Sequence, residues 1–243
     1  MSGNAEEIKP YDAERPKGEQ VERMFDSIAP AYDFMNTAMT FGLHRRWRDK
    51  ALRALRAASP KTEKIIDLAT GTGDVAFALA NLFPDAKITG VDLSEGMLDV
   101  ARKKNTFENI TFESGDCLKL KYPSNSFDAL TIAYGVRNFE NLQQGLNEFH
   151  RILRPGGKCL ILELSRPENP VIRLGYDIYS RGIIPLIGRL VSKDHRAYTY
   201  LPQSIKAMPP RARIVEMLSE AGFSSASFKS LTMGVVTYYL AEK

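Results

Sequence analysis

The sequence has few of the features that would identify a disulfide-bonded, metal-binding or membrane-spanning protein. Its 243 residues include only two cysteines, Cys117 and Cys159, and their separation matches no metal or redox motif. We therefore expect reduced thiols, as in a cytosolic protein. The longest purely apolar run near the C-terminal half, "GIIPLIG", has seven residues, whereas a helix needs roughly 20 to span a bilayer.

Charge of either sign is also unremarkable. The net charge is +4 and the pI is about 9.0. This mildly basic balance is too weak to imply nucleic acid, although it is compatible with contact with an anionic membrane. The first twenty residues are polar and lack the apolar region of a secretory signal. We expect a cytoplasmic protein, with peripheral contact at the inner face of the membrane as a further hypothesis.

The order of apolar and polar residues predicts one α/β domain over residues 21–243. Residues 1–20 are predicted to form a flexible arm, and residues 21–60 to form N-terminal helices. From residue 64 onward, strands alternate with helices, which indicates a doubly wound, mostly parallel sheet covered on both faces. The last two of seven predicted strands, "SASFKSLTM" and "VVTYYLAE", are separated only by Gly234. This spacing predicts an antiparallel pair at one edge.

Residues 166–210 interrupt this alternation before the last helix. The segment carries apolar and aromatic residues together with prolines and arginines. A long irregular insertion in a compact domain is usually functional. It is predicted to be a lid over a substrate, with packing of the domain core as the alternative for Tyr176, Ile178, Ile183, Ile184 and Leu186.

A glycine turn follows the first predicted strand, in "IIDLATGTGDVAFALA". Gly71 and Gly73 would let the backbone turn tightly and approach a ligand. The spacing Gly71-x-Gly73-x-x-Ala76 also fits a dinucleotide fingerprint. The glycines alone therefore do not distinguish NAD from other adenosine ligands.

Three acids end three successive strands of the predicted parallel sheet: Asp67, Asp92 and Asp116. The carboxyl ends of parallel strands line the ligand crevice. Asp92, in "GVDLS", is placed to accept hydrogen bonds from both ribose hydroxyls. An acid-lined approach disfavours a pyrophosphate and suits a cationic sulfonium with an amino acid tail.

The stretches "DLATGTGD", "VDLS" and "LRPGGKCLILEL" resemble motifs of the S-adenosylmethionine-dependent methyltransferases with a doubly wound sheet. Ala69 departs from that pattern, because many members have glycine there. The resemblance implies a Rossmann-like fold that ends in an antiparallel strand pair. It also implies S-adenosylmethionine as the cofactor.

Three stretches resemble one branch of these enzymes, the C-methyltransferases of menaquinone and ubiquinone biosynthesis: "YDFMNTAMTFGLHRRW", "RILRPGGKCLILELS" and "IAYGVRN". The departures, Thr40 for serine and Arg154 for lysine, are conservative. The resemblance spans residues 21 to about 242. It implies C-methylation of a polyprenyl demethylmenaquinol, with a ubiquinone-precursor benzoquinol as the alternative ring.

The expected site follows from these motifs. The residues expected to bind the cofactor are Tyr32, Asp67, Ala69, Gly71, Thr72, Gly73, Asp92, Leu93, Met97, Asp116 and Cys117.

Catalysis requires activation of the ring carbon beside a quinol hydroxyl, and Arg137 is the predicted stabiliser of the phenolate. A structural salt bridge is the alternative for this arginine. Asn138 is predicted to orient a ring oxygen, and Tyr134 to contact donor or ring. The three histidines, His44, His150 and His195, share no metal-ligand spacing, and no metal is expected. His44 is expected to cap or orient rather than catalyse.

Other functions remain open from the residues alone. An NAD-dependent oxidoreductase would need a catalytic pair such as Tyr-x-x-x-Lys; the one match, Tyr239 and Lys243, spans the end of the last predicted strand and is not read as a catalytic pair. An RNA methyltransferase would need a basic, aromatic-interleaved strip beyond residues 44–56. A non-catalytic donor-binding partner in a quinone-biosynthesis complex is the third alternative. The sequence determines neither oligomeric state nor prenyl tail length.

Overall fold

The computed structural model describes residues 5–12, 14–183 and 195–243. A seven-stranded sheet forms the centre of the domain, in the order β3-β2-β1-β4-β5-β7-β6. Strands β1 to β5 are parallel, whereas β7 pairs antiparallel with both β5 and β6. The predicted doubly wound sheet with an antiparallel edge pair is confirmed. The strands are β1 (Lys64–Leu68), β2 (Lys87–Asp92), β3 (Ile110–Ser114), β4 (Phe127–Ala133), β5 (Leu153–Leu164), β6 (Ser225–Leu231) and β7 (Val236–Glu242).

Helices cover both faces of this sheet. The described helices are α1 (Lys17–Ile28), α2 (Tyr32–Thr40), α3 (Leu43–Ala58), α4 (Asp74–Leu82), α5 (Glu95–Lys104), α6 (Leu142–Ile152), α7 (Pro170–Ile178), α8 (His195–Ala207) and α9 (Arg211–Glu220). Among the residues that the structure describes, no helix combines the length and the apolarity that a membrane span requires.

The central strands are apolar because both of their faces are covered. One face packs against α6 and α9 through side chains such as Leu146, Phe149 and Leu218. The other face packs against α3 and α4, where Leu52 and Leu79 are fully buried. Helix α5 contacts β2 and β3. The remaining helices, α1, α2, α7 and α8, contribute residues to the cavities beyond the carboxyl edge of the sheet.

The structure corrects the predicted flexible arm. Residues Ala5–Glu7 form a helical turn, and helix α1 already begins at Lys17. The side chain of Lys17 is buried, and its Nζ donates hydrogen bonds to the carbonyl oxygens of Ala5 (2.7 Å), Phe139 (3.0 Å) and Arg137 (3.1 Å). A buried ammonium needs several acceptors, so this one group ties the N-terminal segment to the turn after β4.

The inserted segment 166–210 contains α7, a π-helical turn at Tyr179–Ile183, and α8. Helix α7 has no buried residue, which is unusual for an apolar helix. Tyr176 and Ile178 lie in the described part of the chain. Ile184 and Leu186, which are also assigned to the lid or the core, lie outside the described residues, and the side chain of Ile183 is not described.

Candidate active site

A small cavity lies at the carboxyl edge of the sheet, where β1 is flanked by β2 on one side and β4 on the other. Strand order reverses at this point, which is where open α/β sheets bind ligands. We call it the edge cavity; its volume is about 120 Å³. The expected cofactor residues that line it are Tyr32, Ala69, Gly71, Asp92, Leu93, Met97, Asp116 and Cys117.

Asp92, at the end of β2, organises the edge cavity. Its Oδ2 accepts the backbone N–H of Gly71 at 2.8 Å, and its Oδ1 accepts that of Ser94 at 2.9 Å. Burial raises the pKa of this carboxyl. A carboxylate has about four acceptor positions, so both oxygens can accept a further hydrogen bond from a ligand in the cavity.

Three of the expected cofactor residues do not line the cavity. Asp67 is buried behind it, where its carboxylate accepts the hydroxyls of Thr70 and Thr131, both at 2.6 Å. Its desolvation raises the pKa of Asp67 to about 7. Gly73 precedes α4 with a φ of 87°, and a Cβ there would lie 2.7 Å from a ring carbon of Phe77.

Thr72 is the third of these residues. It is buried, and its hydroxyl donates to the carboxylate of Asp33 at 2.5 Å. The side chains of Asp67 and Thr72 are already hydrogen-bonded within the protein, and Gly73 lies against Phe77. These three residues therefore support the glycine turn from behind the cavity. That these three residues contact the cofactor directly stays a prediction.

Two acids that were not expected at the site from the sequence connect the N-terminal helices to the edge cavity. Asp33, on α2, accepts Lys104 Nζ at 2.6 Å in addition to Thr72. Asp26, on α1, accepts the hydroxyl of Ser94 at 2.6 Å and the N–H of Gly96 at 3.0 Å. Asp33 lies in the "YDFMN" stretch, and that motif could have indicated it as a site residue. No pattern in the sequence marks Asp26.

A second, larger cavity adjoins the first, with a volume of about 410 Å³. We call it the apolar cavity, because apolar side chains form most of its wall. The stretch from Tyr32 to Trp47 contributes nine of the lining residues: Tyr32, Met35, Asn36, Met39, Thr40, Phe41, Leu43, His44 and Trp47. The inserted segment closes the other side through residues of α7 and α8, including Ile172, Tyr176 and Tyr200.

Three aromatic residues, Phe25, Tyr32 and Tyr134, line both cavities. Phe25 and Tyr32 contact each other edge to face, with ring centroids 6.1 Å apart. Tyr134 adopts a left-handed backbone conformation (φ 59°), which is uncommon for a residue other than glycine. Its hydroxyl is buried and has no hydrogen-bond partner among the described residues. Burial raises the pKa of the Tyr32 and Tyr134 hydroxyls, so both are protonated at neutral pH.

Arg137 follows Tyr134 by three residues and lines the apolar cavity. Its Nη1 donates to Glu163 Oε1 at 2.9 Å and also to the carbonyl of Tyr134, within a buried ion pair. Burial acts most strongly and lowers the pKa of Arg137, but Glu163, Tyr32 and Tyr200 together outweigh it and the pKa is raised. The guanidinium thus forms the salt bridge that the sequence left as the alternative, and it also lines the apolar cavity, so its role toward a phenolate stays a prediction. Its Nε is buried and unpartnered within the described structure.

Asn138 is not placed to contact a ring in the apolar cavity. It lines the edge cavity instead, and its Oδ1 accepts the hydroxyl of Tyr200 at 3.0 Å. This hydrogen bond joins the turn after β4 to α8. That Asn138 orients a ring oxygen stays a prediction, for a ring that reaches the edge cavity.

His44 is the histidine that lines the apolar cavity. Its Nδ1 lies 2.7 Å from Thr40 Oγ1, and that hydroxyl gives its single proton to the carbonyl of Asn36 at 2.6 Å. The Nδ1 position must therefore carry the proton that His44 donates. Burial lowers the pKa of His44, and its contact with Thr40 joins the start of α3 to the end of α2. That His44 orients rather than catalyses stays a prediction.

The other histidines have no described place at the site. His150 packs against the ring of Phe223 at 5.3 Å and lines neither cavity. The side chain of His195 is not among those that the structure describes. In the part of the chain described here, no group of three potential ligands is placed to hold a metal ion.

Comparison with known proteins identifies close relatives along the whole chain. The profile of the ubiE/COQ5 methyltransferase family matches residues 13–243. The chain is 45% identical to the demethylmenaquinone methyltransferase of Bacteroides fragilis, over the full length of both chains. It is 43% identical to the ubiquinone/menaquinone biosynthesis C-methyltransferase UbiE of Syntrophotalea carbinolica, over 91% of this chain and 93% of that one.

Solved structures show the same architecture at lower identity. A methyltransferase from Thermotoga maritima, described as S-adenosylmethionine-dependent and a possible histamine N-methyltransferase, superposes with a TM-score of 0.63. The identity is 18%, over 91% of this chain and 99% of the other. At that identity the likeness shows the fold alone. The fold and the family expected from the sequence are confirmed, and the matches favour S-adenosylmethionine over NAD.

Proposed function

We propose, from the premise that this chain belongs to the ubiE/COQ5 methyltransferase family of S-adenosylmethionine-dependent enzymes, that it methylates a ring carbon of a polyprenyl demethylmenaquinol. The proposal is supported by 45% identity, over the full chain, to a protein named demethylmenaquinone methyltransferase. It extends to the roles of individual residues in the two cavities.

One observation carries the proposal: a large apolar cavity meets the edge cavity at Phe25, Tyr32 and Tyr134. A prenylated ring needs an apolar slot that ends where the methyl donor lies. Holding two reactants at such a junction can supply several kcal/mol of catalysis through orientation alone. A small polar substrate would not need a cavity of this size and character.

The residues of the edge cavity fit the proposed donor. Asp92 retains acceptor capacity for two ribose hydroxyls. The space beside Gly71 is open: among the described residues, the one atom within 4 Å of an added Cβ is Tyr32 Cε1, at 3.9 Å. Buried Met97 and Cys117 provide an apolar wall for a flat base. When bound, the cofactor supplies a methyl group on a positively charged sulfur, which a nucleophilic carbon can attack.

The chain must then make the ring carbon nucleophilic, by drawing the proton of the neighbouring hydroxyl away or by stabilising the resulting oxyanion. Tyr134 Oη and Arg137 Nε are two buried donors without a partner among the described residues, and both residues line the apolar cavity. Two such donors would stabilise charge on a quinol oxygen. Glu163 holds the guanidinium in place through a 2.9 Å ion pair.

The inserted segment is proposed to act as a lid. Its described residues, including Ile172 and Tyr176 on α7 and Tyr200 on α8, form the wall of the apolar cavity away from the sheet. The Tyr179 hydroxyl donates to the carbonyl of Met39 at 2.5 Å, which joins this wall to α2. Water would be excluded from the ring while these contacts hold.

The test is incubation of the full chain with labelled S-adenosylmethionine and a panel of demethylated quinols, with the methylated ring identified. Labelling of demethylmenaquinol at a ring carbon is the expected result. A benzoquinol is the second candidate ring, because a 43% identical relative is named for both pathways. Labelling of the benzoquinol alone would replace the first candidate. Donor binding without methylation of any quinol would favour a non-catalytic partner.

We further propose that the reaction takes place at the cytoplasmic face of the membrane. A polyprenyl tail is too apolar to leave a bilayer freely, since each buried CH₂ contributes about 0.8 kcal/mol. The enzyme would then be a peripheral protein. Detection of the chain in the soluble fraction with no activity toward membrane-embedded quinol would contradict this location.

A further inference from the structure

The apolar cavity opens at the protein surface between three elements. Three of its lining residues are also exposed: Phe41 after α2, Gly175 on α7, and Thr232 in the turn between β6 and β7. The opening is therefore bordered by a helix end, a helix and a strand turn. Anything that enters the cavity by this route passes between them.

Exposed apolar side chains concentrate around this opening. The described part of the chain exposes seven large apolar side chains, and six belong to the three bordering elements: Phe34, Phe41, Val171, Leu174, Ile178 and Met233, each between 63% and 80% exposed. The seventh, Phe228, lies on the edge strand β6. Clustered exposed apolar residues mark an interaction surface, whereas isolated ones do not.

Helix α7 is apolar on two neighbouring faces. One face, with Ile172 and Tyr176, lines the apolar cavity. The other face, with Val171, Leu174 and Ile178 at helical spacing, is exposed. A helix that is apolar on both faces is normally covered on both. The second face therefore calls for a partner that covers it in the working enzyme.

The charges beside the opening indicate the kind of partner. Arg45 and Arg46 are exposed in the first turn of α3, four and five residues after Phe41. Neither forms an ion pair with an acid of the described chain, whereas nearby Arg48 pairs with Asp49 and Asp74. Apolar side chains flanked by unpaired arginines match the interface of an anionic bilayer.

We infer that these residues form a membrane-docking surface for anionic lipid. The surface consists of Phe41, Val171, Leu174, Ile178 and Met233, flanked by Arg45 and Arg46. It rests on the proposed function, because a polyprenyl substrate gives the opening its purpose. The prenyl tail passes from the bilayer into the apolar cavity without crossing water.

The first test measures sedimentation of the full chain with phosphatidylcholine vesicles, with and without phosphatidylglycerol. We expect binding to the anionic vesicles that weakens as salt rises. The double variant Leu174→Ser/Ile178→Ser is expected to bind roughly tenfold more weakly or worse, because two apolar side chains are lost from the interface. Phe228→Ser is the matched control, since it removes an exposed apolar residue away from the opening, and it should bind like the wild type.

Two results would overturn the docking surface. One is wild-type protein that stays in the supernatant with anionic vesicles. The other is equal loss of binding in Phe228→Ser and in the double variant. Replacing Arg45 and Arg46 by glutamine should remove the preference for phosphatidylglycerol; a preference that persists would show that other residues carry the charge recognition.

The second test separates this surface from the proposed function. The substrate is a demethylmenaquinol analogue with a short, water-soluble tail. We expect the wild type and the Leu174→Ser/Ile178→Ser variant to methylate it equally without vesicles, because neither residue lines a cavity. Only the long-tailed substrate in vesicles is methylated more slowly by the variant. Methylation of the soluble analogue without any vesicle effect rejects the docking surface alone, whereas failure of wild type with both quinols rejects the proposed function.

A third test identifies what covers α7. The native thiols, Cys117 and Cys159, are buried, so Leu174→Cys can be labelled selectively with an environment-sensitive dye. Emission that shifts to the blue only when anionic vesicles are added supports the bilayer as partner. A blue shift that depends on protein concentration without vesicles would assign the surface to a second copy. A blue shift at every concentration would assign it to the chain itself.

Discussion

The edge cavity and the apolar cavity are built by different parts of the chain. The edge cavity is formed mainly by residues just beyond β1, β2, β3 and β4, with backbone N–H groups held by Asp92. The apolar cavity is formed mostly by side chains of α1, α2, α7 and α8, outside the sheet. Under the proposed function the difference separates two tasks: local, polar geometry for a donor, and long-range, apolar packing for an acceptor.

The separation predicts that substitutions on the two sides will affect different measurements. Edge-cavity residues should change donor affinity. Residues of the apolar cavity should change turnover or quinol binding. The three aromatic residues that line both cavities, Phe25, Tyr32 and Tyr134, are the place where this separation should fail.

The largest effect is expected for Asp92→Ala. Loss of two charge-assisted hydrogen bonds to a ribose, each worth about 1.5–3 kcal/mol, would weaken donor binding roughly 100-fold or more. Isothermal titration with S-adenosylhomocysteine measures the change. Asp99→Ala, which removes an exposed carboxylate on α5 from its pair with Arg102, is the control. Wild-type affinity in a folded Asp92→Ala protein would show that the ribose lies elsewhere.

The next effect should fall on turnover instead. Removing Arg137 alone would leave Glu163 as a buried unpaired charge, at a cost of about 3–5 kcal/mol in stability. The double variant Arg137→Met/Glu163→Gln removes both charges and isolates the chemistry. We expect turnover of the quinol to fall roughly 100-fold, because one donor to the developing oxyanion is lost, while donor affinity changes little.

The half-exposed ion pair of Arg151 and Glu148 on α6 offers a matched control for that variant. Arg151→Met/Glu148→Gln removes a pair that lines neither cavity. It should leave turnover at the wild-type level. Equal turnover in both double variants would remove Arg137 from the mechanism and leave it as a structural residue.

A pH effect on stability is expected from Asp67, which supports the edge cavity without lining it. The pKa of Asp67 is about 7 in the folded chain because of desolvation, against an ordinary value of 3.8. The folded state therefore binds more protons between pH 4 and pH 7, and the stability from this group, full below pH 3.8, is lost as the pH rises through 7. The free energy of unfolding should fall by at most about 1.4 kcal/mol per pH unit in that window.

Asp67→Asn should remove this contribution, which denaturant titrations at a series of pH values would measure. The comparison of interest is the difference between wild type and variant, since other carboxyls titrate in both. A difference that is constant between pH 4 and pH 7 would show that Asp67 ionises in the fold as it does in water.

The separation also explains what could be predicted from the sequence. Period and turn chemistry are local, so the sheet, the glycine turn and Asp92 follow from short stretches. Ala69 is an instructive departure, because it keeps the left-handed φ (48°) that glycine adopts easily. Its neighbour must then be small: a Cβ on Gly135 would lie 2.7 Å from Ala69 Cβ.

Contacts between distant residues could not be predicted in this way. Glu163 neutralises a guanidinium 26 residues earlier in the chain, and Lys17 joins carbonyls about 120 residues away. Asp26 and Ser94, which link α1 to α5, carry no local pattern. The "YDFMNTAMTFGLHRRW" stretch forms most of one wall of the apolar cavity. From the sequence it indicated only a family resemblance, since its spacing alone is typical of amphipathic helices.

The smallest effect is expected where the two cavities meet. Tyr134→Phe removes a buried hydroxyl that has no partner among the described residues. Stability should stay equal or rise by up to about 1 kcal/mol, because an unsatisfied polar group is lost. Tyr200→Phe is the matched variant: its hydroxyl donates to Asn138 at 3.0 Å, so the same chemical change should cost about 1 kcal/mol.

Turnover should rank the two variants in the opposite order, with Tyr134→Phe the more stable protein but the slower enzyme. If Tyr134 Oη donates to the quinol oxygen, Tyr134→Phe should reduce turnover roughly tenfold, the equivalent of about 1.4 kcal/mol in the barrier. Thermal unfolding and single-turnover kinetics on the two purified variants give both quantities. A Tyr134→Phe enzyme that is less stable and fully active would mean that this hydroxyl is bonded within the protein, and the junction would then have no free phenol to offer the ring.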